Sequence, residues 1–443
     1  MASPDPYDGG LDSLFTEKID RGRLVRRAAT AGAGLVLAPW VATSRAFAAS
    51  RTIKIGYVTP RTGPLAAFGA ADAYVIGQMK HVFDKGLRSG GNTYPVQILT
   101  ADAQSNSNRA ATVAQDLILK SNVDLMLVSD TPDITNPVSD TCEANGVPCI
   151  SSVAPWQPWF FGRKGDPAKG FKWTYHFFWG LEDIIAVFLD MWSQVPTNKG
   201  VGAIWPNDPD GNAWGDPKNG FPPPLKKAGY TITDPGRFPD GNDNFSTQIS
   251  KFKAANADIV TGVPIPPDFT TFWTQALQQG FRPKVASVGK ALLFPSAVEA
   301  LGSHGAGMST ELWWSPFHPY KSSLTGQSAA ALAAAYEKST HQQWTQPIGF
   351  DHALFEVAAD VLRRATNIDD KQTIVDAIKA TNLNTVVGHI SWKNGPVPNV
   401  AKTKLAGAQW RKGTTYKYEL VVVSNKRVPG LKKQGKLEPI SYS

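Results

Sequence analysis

Short β-branched runs alternate with longer amphipathic stretches along most of the chain, and this alternation predicts strands separated by helices, as in parallel-sheet α/β folds. In the first half, Thr52 to Val58, Val96 to Ala101, Val123 to Val128 and Val147 to Ile150 read as strands. Between them Leu65 to Lys85, Asn106 to Ser121 and Ile134 to Asn145 read as helices, each starting just past a turn-rich segment. A second cycle follows, with strands Val201 to Trp205, Thr231 to Phe238, Ile259 to Val263 and Lys284 to Val288, again separated by helices. The same plan therefore occurs twice.

A break at Phe171 to Gly180 separates the two cycles, which implies two lobes with a hinge there rather than one long sheet. Beyond Ser309 come a strand-like run, Thr310 to Ser315, and helices Ser328 to Ser339, Phe350 to Ala365 and Lys371 to Ala380. A β-rich end follows, Val386 to Trp392 and Tyr416 to Val423. That tail is too short for a third domain, so its elements are expected to return to the two lobes, with the chain crossing between them several times. Pro- and Trp-rich segments stand where strands end, notably Pro155-Trp156-Gln157-Pro158-Trp159 and Trp205-Pro206-Asn207-Asp208-Pro209. In open α/β sheets ligands bind beyond the carboxyl ends of the strands, so these segments face a cleft if two lobes oppose.

Length agrees with this organisation, since 443 residues at about 150 per domain suggest two or three domains. With 42% hydrophobic and 19% charged residues, 39 Gly and 33 Pro, the composition is that of a globular protein and excludes a coiled coil, collagen or wholesale disorder. No uninterrupted apolar stretch approaches the roughly 20 residues of a membrane-spanning helix. Fourteen Trp is the outlier.

The N-terminus reads as an export signal. Arg21, Arg23, Arg26 and Arg27 precede an uncharged stretch, Ala28 to Ala42, and Ala46-Phe47-Ala48 supplies the small residues of a peptidase site. Residues 1–48 are thus expected to be removed by cleavage after Ala48, and the paired Arg26-Arg27 with a weakly apolar core is twin-arginine-like. The protein is then periplasmic or secreted, and no Cys stands at the processing site to carry a lipid.

The formal charge of +8 raises the question of nucleic acid. The Lys and Arg are scattered, with no cluster beyond Lys432-Lys433 and no basic stripe interleaved with aromatics, so nucleic-acid binding is not expected. The only cysteines, Cys142 and Cys149, flank Asn145-Gly146, where a helix gives way to a strand. Export favours a local disulfide, and two buried thiols are the alternative. Neither the spacing nor the number of cysteines suits a zinc site or a CxxC redox pair.

Catalytic signatures are missing: there is no GxSxG, HExxH, GxxxxGK[ST] or strand-linked GxGxxG. His304 and His318 read as surface or packed histidines. Asp208 and Asp210 read as solvated turn carboxylates, because no further oxygen ligands follow at the spacing of a cation loop. What remains is a cleft with hydroxyls, backbone donors and aromatics. No enzyme activity, metal or cofactor is expected.

The opening Ile53-Lys54-Ile55-Gly56-Tyr57-Val58-Thr59-Pro60-Arg61-Thr62-Gly63-Pro64-Leu65-Ala66 resembles the first strand and ligand loop of branched-chain-amino-acid-type periplasmic solute-binding proteins. Asp243-Asn244-Phe245-Ser246 with Gln248-Ile249, followed by Lys253-Ala254-Ala255-Asn256-Ala257-Asp258-Ile259-Val260, is similar to the helix and strand of that family's second lobe. Asp102-Ala103-Gln104 and Gly146-Val147-Pro148 also fit, in order, over nearly all of the chain beyond the signal. The resemblance implies an α/β fold of two Rossmann-like lobes with parallel central sheets and a three-crossing hinge, the type I or Venus-flytrap arrangement. One lobe would hold residues 52–178 and 312–408, the other 179–311 and 409–430. It also implies a monomer that closes on a small solute and presents it to a membrane ABC permease.

Carried onto this sequence, the family's site puts Thr62, Phe68, Asp130, Thr131, Ser151, Ser152 and Trp156 on the first wall. The second wall would hold Trp205, Asn207, Trp214, Pro266, Asp268 and Lys290, with Trp179 adding a further aromatic face. Ser129-Asp130-Thr131-Pro132 and Ala154-Pro155-Trp156 depart from the hydroxyl-rich clamp of the family's amino-acid binders. The added tryptophans, each able to bury about 150 to 250 Å², favour an aromatic or bulky apolar carboxylate. A branched-chain amino acid or amide comes next, with Asp130 or Asp268 holding an ammonium. The competing readings are a sensing subunit for a membrane receptor, and an exported hydrolase with His304 or His318 as base.

Overall fold

Parallel strands buried on both faces read as continuous apolar runs, and the central strands of this chain do so. The computed structural model describes residues 51–442. In chain order it opens with β1 (Ile53–Thr59), α1 (Asp72–Phe83), β2 (Leu87–Ser89), β3 (Asn92–Tyr94), β4 (Val96–Asp102), α2 (Ser107–Leu119), β5 (Leu125–Ser129), α3 (Pro132–Asn145), β6 (Cys149–Ser152), α4 (Trp156–Phe160) and β7 (Thr174–Phe177). Next come α5 (Leu181–Trp192), β8 (Gly200–Ile204), α6 (Pro209–Trp214), α7 (Pro222–Lys227), β9 (Thr231–Thr233), α8 (Ser246–Ala254), β10 (Ile259–Gly262), α9 (Pro266–Gln278), β11 (Val285–Val288), α10 (Pro295–Glu299) and β12 (Ser309–Leu312). The chain ends with α11 (Ala329–Thr340), α12 (Pro347–Arg364), α13 (Lys371–Lys379), β13 (Asn382–Thr385), β14 (Gly388–Ser391), β15 (Val400–Ala401), β16 (Ala406–Lys412) and β17 (Tyr418–Ser424).

Two large sheets result. The first has order β15-β7-β6-β5-β1-β4 and is parallel throughout. The second has order β17-β16-β12-β11-β10-β8-β9, parallel from β9 to β12 and antiparallel from β12 through β16 to β17. Parallel neighbours need helical crossovers, and these cover both sheets. Helix α12 is buried over nearly its whole length, including Phe350, Leu354, Phe355 and Val361, because it packs on β5 and β6 of the first sheet and on α1 and α11.

Three segments pass between the sheets. Phe178 to Gly180 leads from β7 to α5, which packs on β12, β16 and β17. Trp313 and the residues after it lead from β12 back to α11, and residues 402–405 lead from β15 to β16. The first two crossings meet in an aromatic knot: Phe178 lies edge-on to Trp313 at 5.3 Å and to Phe350 at 4.9 Å. The expected two-lobed α/β fold with a three-crossing hinge is thus present.

Several elements differ from the periodicity reading. Residues 65–71 form turns and the first helix starts only at Asp72, whose buried carboxylate accepts a hydrogen bond from Tyr57 Oη at 2.9 Å. The break at Phe171 to Gly180 contains β7, a four-residue strand too short to show a period. Strand β16, with the sequence AGAQWRK, carries no β-branched residue and is defined by its antiparallel pairing to β12 and β17. Cys142 on α3 and Cys149 on β6 are both buried and both free, so the structure holds two thiols in place of the expected disulfide. Each side chain lies inside the apolar packing between α3 and β6, and burial pushes the Cys142 thiol well above its usual range. The expected signal and its cleavage site lie outside the described residues.

Candidate functional site

The carboxyl ends of both sheets face one enclosed space. Phe68, Thr131, Val153 and Pro155 line it from the first lobe, and Phe178, Trp179 and Trp313 from the crossings. The second lobe contributes Asp210, Trp214, Val263, Lys290, Leu293 and Glu311. The lobes are shut: only about 20 Å³ is open to the centre of a water-sized sphere, room for about one or two waters. Phe68 and Phe294 meet edge-to-face across the gap at 4.8 Å.

The second-lobe wall is built around Lys290. It follows Gly289 at the end of β11 and takes a left-handed backbone with φ of 55°, a conformation costly for a residue with a Cβ. Gly289 permits the turn to lie against Trp214, since a Cβ there would sit 2.7 Å from the indole ring. The ammonium bonds to Asp208 Oδ2 at 2.6 Å and pairs with Asp210 Oδ2 at 3.0 Å. All three side chains are about 3% exposed. Local sequence explains the carboxylates: Asp208 caps α6, accepting from the Gly211 amide at 2.6 Å, with Pro209 at the first helical position. This corrects the reading of Asp208 and Asp210 as solvated turn carboxylates. Their turn is covered by the opposing lobe and their charge is met by Lys290.

Burial alone would push the Lys290 ammonium down, yet Asp208, Asp210 and Asp133 outweigh it and hold it well above the usual lysine range. Burial pushes the carboxyl of Asp210 up to about 7, against the pull of Lys290. Glu311, whose Oε1 accepts from the Lys290 amide at 3.4 Å, is pushed up to about 7 by burial as well. On the facing lobe Asp133 is raised to about 6 and Asp130 well above its usual range, burial again being the main cause. One lysine thus serves a surplus of carboxyls.

Several buried polar atoms around this space have no partner among the described residues. They are Asp210 Oδ1 and Asp130 Oδ2, which accept, and the indole nitrogens of Trp179, Trp214 and Trp313, which donate. Buried polar groups are nearly always paired. The indoles of Trp205, Trp273 and Trp314, which do not line this space, also lack a partner among the described residues, so what distinguishes the atoms beside the cleft is their position, where a polar guest could meet them.

Of the residues expected at the site, Phe68, Thr131, Trp179, Trp214 and Lys290 line this space. Asp130 stands next to Thr131, and its other oxygen accepts from the Thr131 amide at 2.6 Å. The remainder stand elsewhere. Thr62 is exposed and donates to Asp102 at 2.8 Å. Ser151 and Ser152 direct their hydroxyls into the sheet, to His176 Nδ1 at 2.8 Å and the Phe177 carbonyl at 2.6 Å. Trp156 donates to Glu182 at 3.2 Å and lines a separate pocket of about 610 Å³ beside α6. Trp205 is fully buried against Trp214 and Phe221 within the second lobe. Asn207 is exposed, and Pro266 opens α9. Asp268 accepts from the Gly241 amide at 3.1 Å, and burial pushes its carboxyl up to about 7.

Asp210 and Glu311 are lining residues that the sequence did not assign to the site, and of the Trp313-Trp314 pair, which the sequence places either on the pocket or in the hinge packing, Trp313 lines the space. An acidic dipeptide around Pro209 and a Trp pair after a strand were visible, but neither shows which way it faces. His318, the possible base, is buried against Ser315 Oγ at 2.9 Å and pushed down to about 4 by burial. It is away from the cleft lining, and its other ring nitrogen has no partner among the described residues.

Comparison with known proteins gives a consistent result. A family model described as periplasmic binding protein matches residues 52–415. The leucine-binding protein LivK from Thermotoga maritima superposes with a TM-score of 0.68 at 18% identity, over 84% of this chain and 99% of that one. LivJ from Streptococcus pneumoniae, solved with isoleucine, gives 0.65 at 16% identity, over 84% and 100%. A solute-binding protein of an ABC transporter from Rhodopseudomonas palustris, solved with 3,4-dihydroxybenzoic acid, gives 0.66 at 17%, over 86% and 99%.

Proposed function

Since the chain belongs to the periplasmic binding protein family, and is a substrate-binding protein of the ABC-transporter type rather than one of a family of enzymes, we propose that it captures a small organic solute bearing amide or ammonium N–H groups on a flat apolar body. The solute sits between Lys290, Asp210, Thr131 and the indoles of Trp179, Trp214 and Trp313, and is handed unchanged to a membrane permease. The observation that carries this reading is the set of unpaired buried atoms on the cleft: carboxylate oxygens that need donors beside indole N–H groups that need an acceptor.

The tryptophans keep the flat, apolar part of the expected solute. The carboxylate part fits less well, because Lys290 is already paired with Asp208 and Asp210 and is not free for a further anion. An N–H group on Asp210 needs no free cation and satisfies its unpaired oxygen. The solute enters with the lobes apart, and the solute-bound form closes less far than this structure, whose space of about 20 Å³ has no room for a body the size of leucine. Contacts to both lobes form only on closure, so the solute shifts the hinge toward the closed state. The two rigid bodies are those carrying the two sheets. Export by the twin-arginine-like segment 1–48 completes the reading, and mass spectrometry of the exported chain should find Ala49 at its N-terminus.

A ligand that binds only the native state raises apparent stability, by about 2.7 kcal/mol at a hundred times its Kd. Thermal unfolding of the processed chain against amides, ureas, amines, amino acids and aromatic carboxylates is the test. Stabilisation by N–H donors with an aromatic or bulky body is expected. Stabilisation by carboxylates alone would overturn the assigned chemistry, and a silent panel would remove support for a solute at this cleft.

A further inference from the structure

Away from the cleft, the hinge face carries an open groove of about 960 Å³. Five lysines line it, Lys321, Lys379, Lys393, Lys402 and Lys404, and no carboxylate does. The chain as a whole has 37 acidic residues against 45 basic ones, so this lining is strongly charge-segregated. Lys402 is committed to Asp183 at 2.7 Å and to Glu182. The other four are exposed and take part in no ion pair among the described residues.

Sequence does not show this patch. Lys321 follows the second crossing, Lys379 ends α13, Lys393 follows β14, and Lys404 lies in the third crossing. Each stands alone in the chain, and only folding gathers them. Like charges converging on one concavity repel one another, and low-dielectric walls focus their field. Among the described residues no carboxylate pairs with the four free lysines, whereas an anionic occupant would offset that repulsion. Lysine ammonium groups act as mobile point charges rather than as planar forks, which suits an anion presenting many oxygens in several directions. The amides of Asn384 and Asn394, on the same lining, add donors between the charges. A phosphate carries three acceptor oxygens and a charge of about −1.5 to −2, so a molecule with two or more of them matches the charge of the four free lysines. A single carboxylate cannot.

We propose that this groove is a binding site for a polyvalent phosphate, separate from the solute cleft and built across two of the three hinge crossings.

Titration calorimetry of the purified chain with inorganic tripolyphosphate tests it. Binding is expected at low ionic strength and should weaken by about tenfold or more when salt is raised enough to bring the screening length to about 3 Å. Replacing the four free lysines together, with Lys321→Ala, Lys379→Ala, Lys393→Ala and Lys404→Ala, should cost at least about tenfold in affinity. A control of equal charge change, Lys226→Ala, Lys227→Ala, Lys251→Ala and Lys432→Ala, should change affinity by less than about twofold. Absence of tripolyphosphate binding, or equal losses in the two variants, would overturn the site. Vesicles of phosphatidylcholine with and without cardiolipin, whose headgroup carries two phosphates, identify the source of the phosphate. Co-sedimentation with the anionic vesicles that the quadruple variant loses assigns a lipid headgroup, and tripolyphosphate binding without co-sedimentation assigns a free phosphate.

Discussion

The two walls of the cleft are built from different chemistry. The first lobe lines it with Phe68, Thr131, Val153 and Pro155, none of them charged, and uses the hydroxyls of Ser151 and Ser152 inside its own sheet. The second lobe lines it with Asp210, Lys290 and Glu311, tied together within that lobe by contacts of 3.0 and 3.4 Å, with Asp208 behind them at 2.6 Å from the Lys290 ammonium. A charged centre held by its own lobe keeps its geometry whether the hinge is open or shut. The facing wall, apolar but for the Thr131 hydroxyl and with Asp130 and Asp133 behind it, contributes mainly by excluding water, which strengthens the hydrogen bonds it encloses. Recognition is therefore expected to reside in the second lobe and closure in the first.

The strongest challenge to this contrast is Lys290→Met. Removing one partner of a buried ion pair costs about 3 to 5 kcal/mol, here by leaving Asp208 and Asp210 facing each other. Urea unfolding should show that loss, and adding Asp210→Asn should recover part of it. A Lys290→Met chain as stable as the parent would mean that the centre does not organise the second lobe.

Asp210→Asn alone bears on recognition. Hydrogen bonds to charged groups contribute about 1.5 to 3 kcal/mol, so affinity for the stabilising solute should drop by about ten- to a hundredfold. Because the Asp210 carboxyl is pushed up to about 7 by burial, affinity in the parent should also fall as pH drops below 7, while the Asn variant stays flat. Calorimetry across that range decides it.

Glu311→Gln tests the cost of the extra carboxyls. Burial holds Glu311 at about 7 in the folded chain, against about 4.3 unfolded. Between those values the folded state keeps a proton that the unfolded state has lost, so the stability contribution falls as pH rises and levels off above 7. The variant should be more stable than the parent at pH 8, on the order of 3 kcal/mol, and the gain should disappear near pH 4. The smallest effect is expected on the first wall. Ser152→Ala loses the hydrogen bond to the Phe177 carbonyl, about 1 kcal/mol, with solute affinity unchanged in calorimetry.

Much of the fold was legible because burial on both faces of a parallel sheet demands continuous apolar runs, and those runs stand in the sequence from Ile53 to Val288. Elements without such a signal were not. Strand β7 is four residues long, and β16 owes its pairing to β12 and β17 rather than to its own composition. The site was legible in part. Trp214 and Lys290 came with the family resemblance and line the space, whereas Ser151 and Trp156, carried over in the same way, turn elsewhere. Side-chain direction beyond a strand end is set by the turn that follows, and the left-handed backbone at Lys290 has no mark in the sequence.

By itself the chain determined most of the central strands and the helices between them, that they come in two cycles, and which motifs the family shares, because these depend on neighbours along the sequence. Tertiary structure alone decided that Asp208 and Asp210 are buried, that Cys142 and Cys149 are free, and that four isolated lysines share one groove. Each of those outcomes depends on what a distant segment places opposite a side chain, and solvation and charge balance are settled only when the two meet.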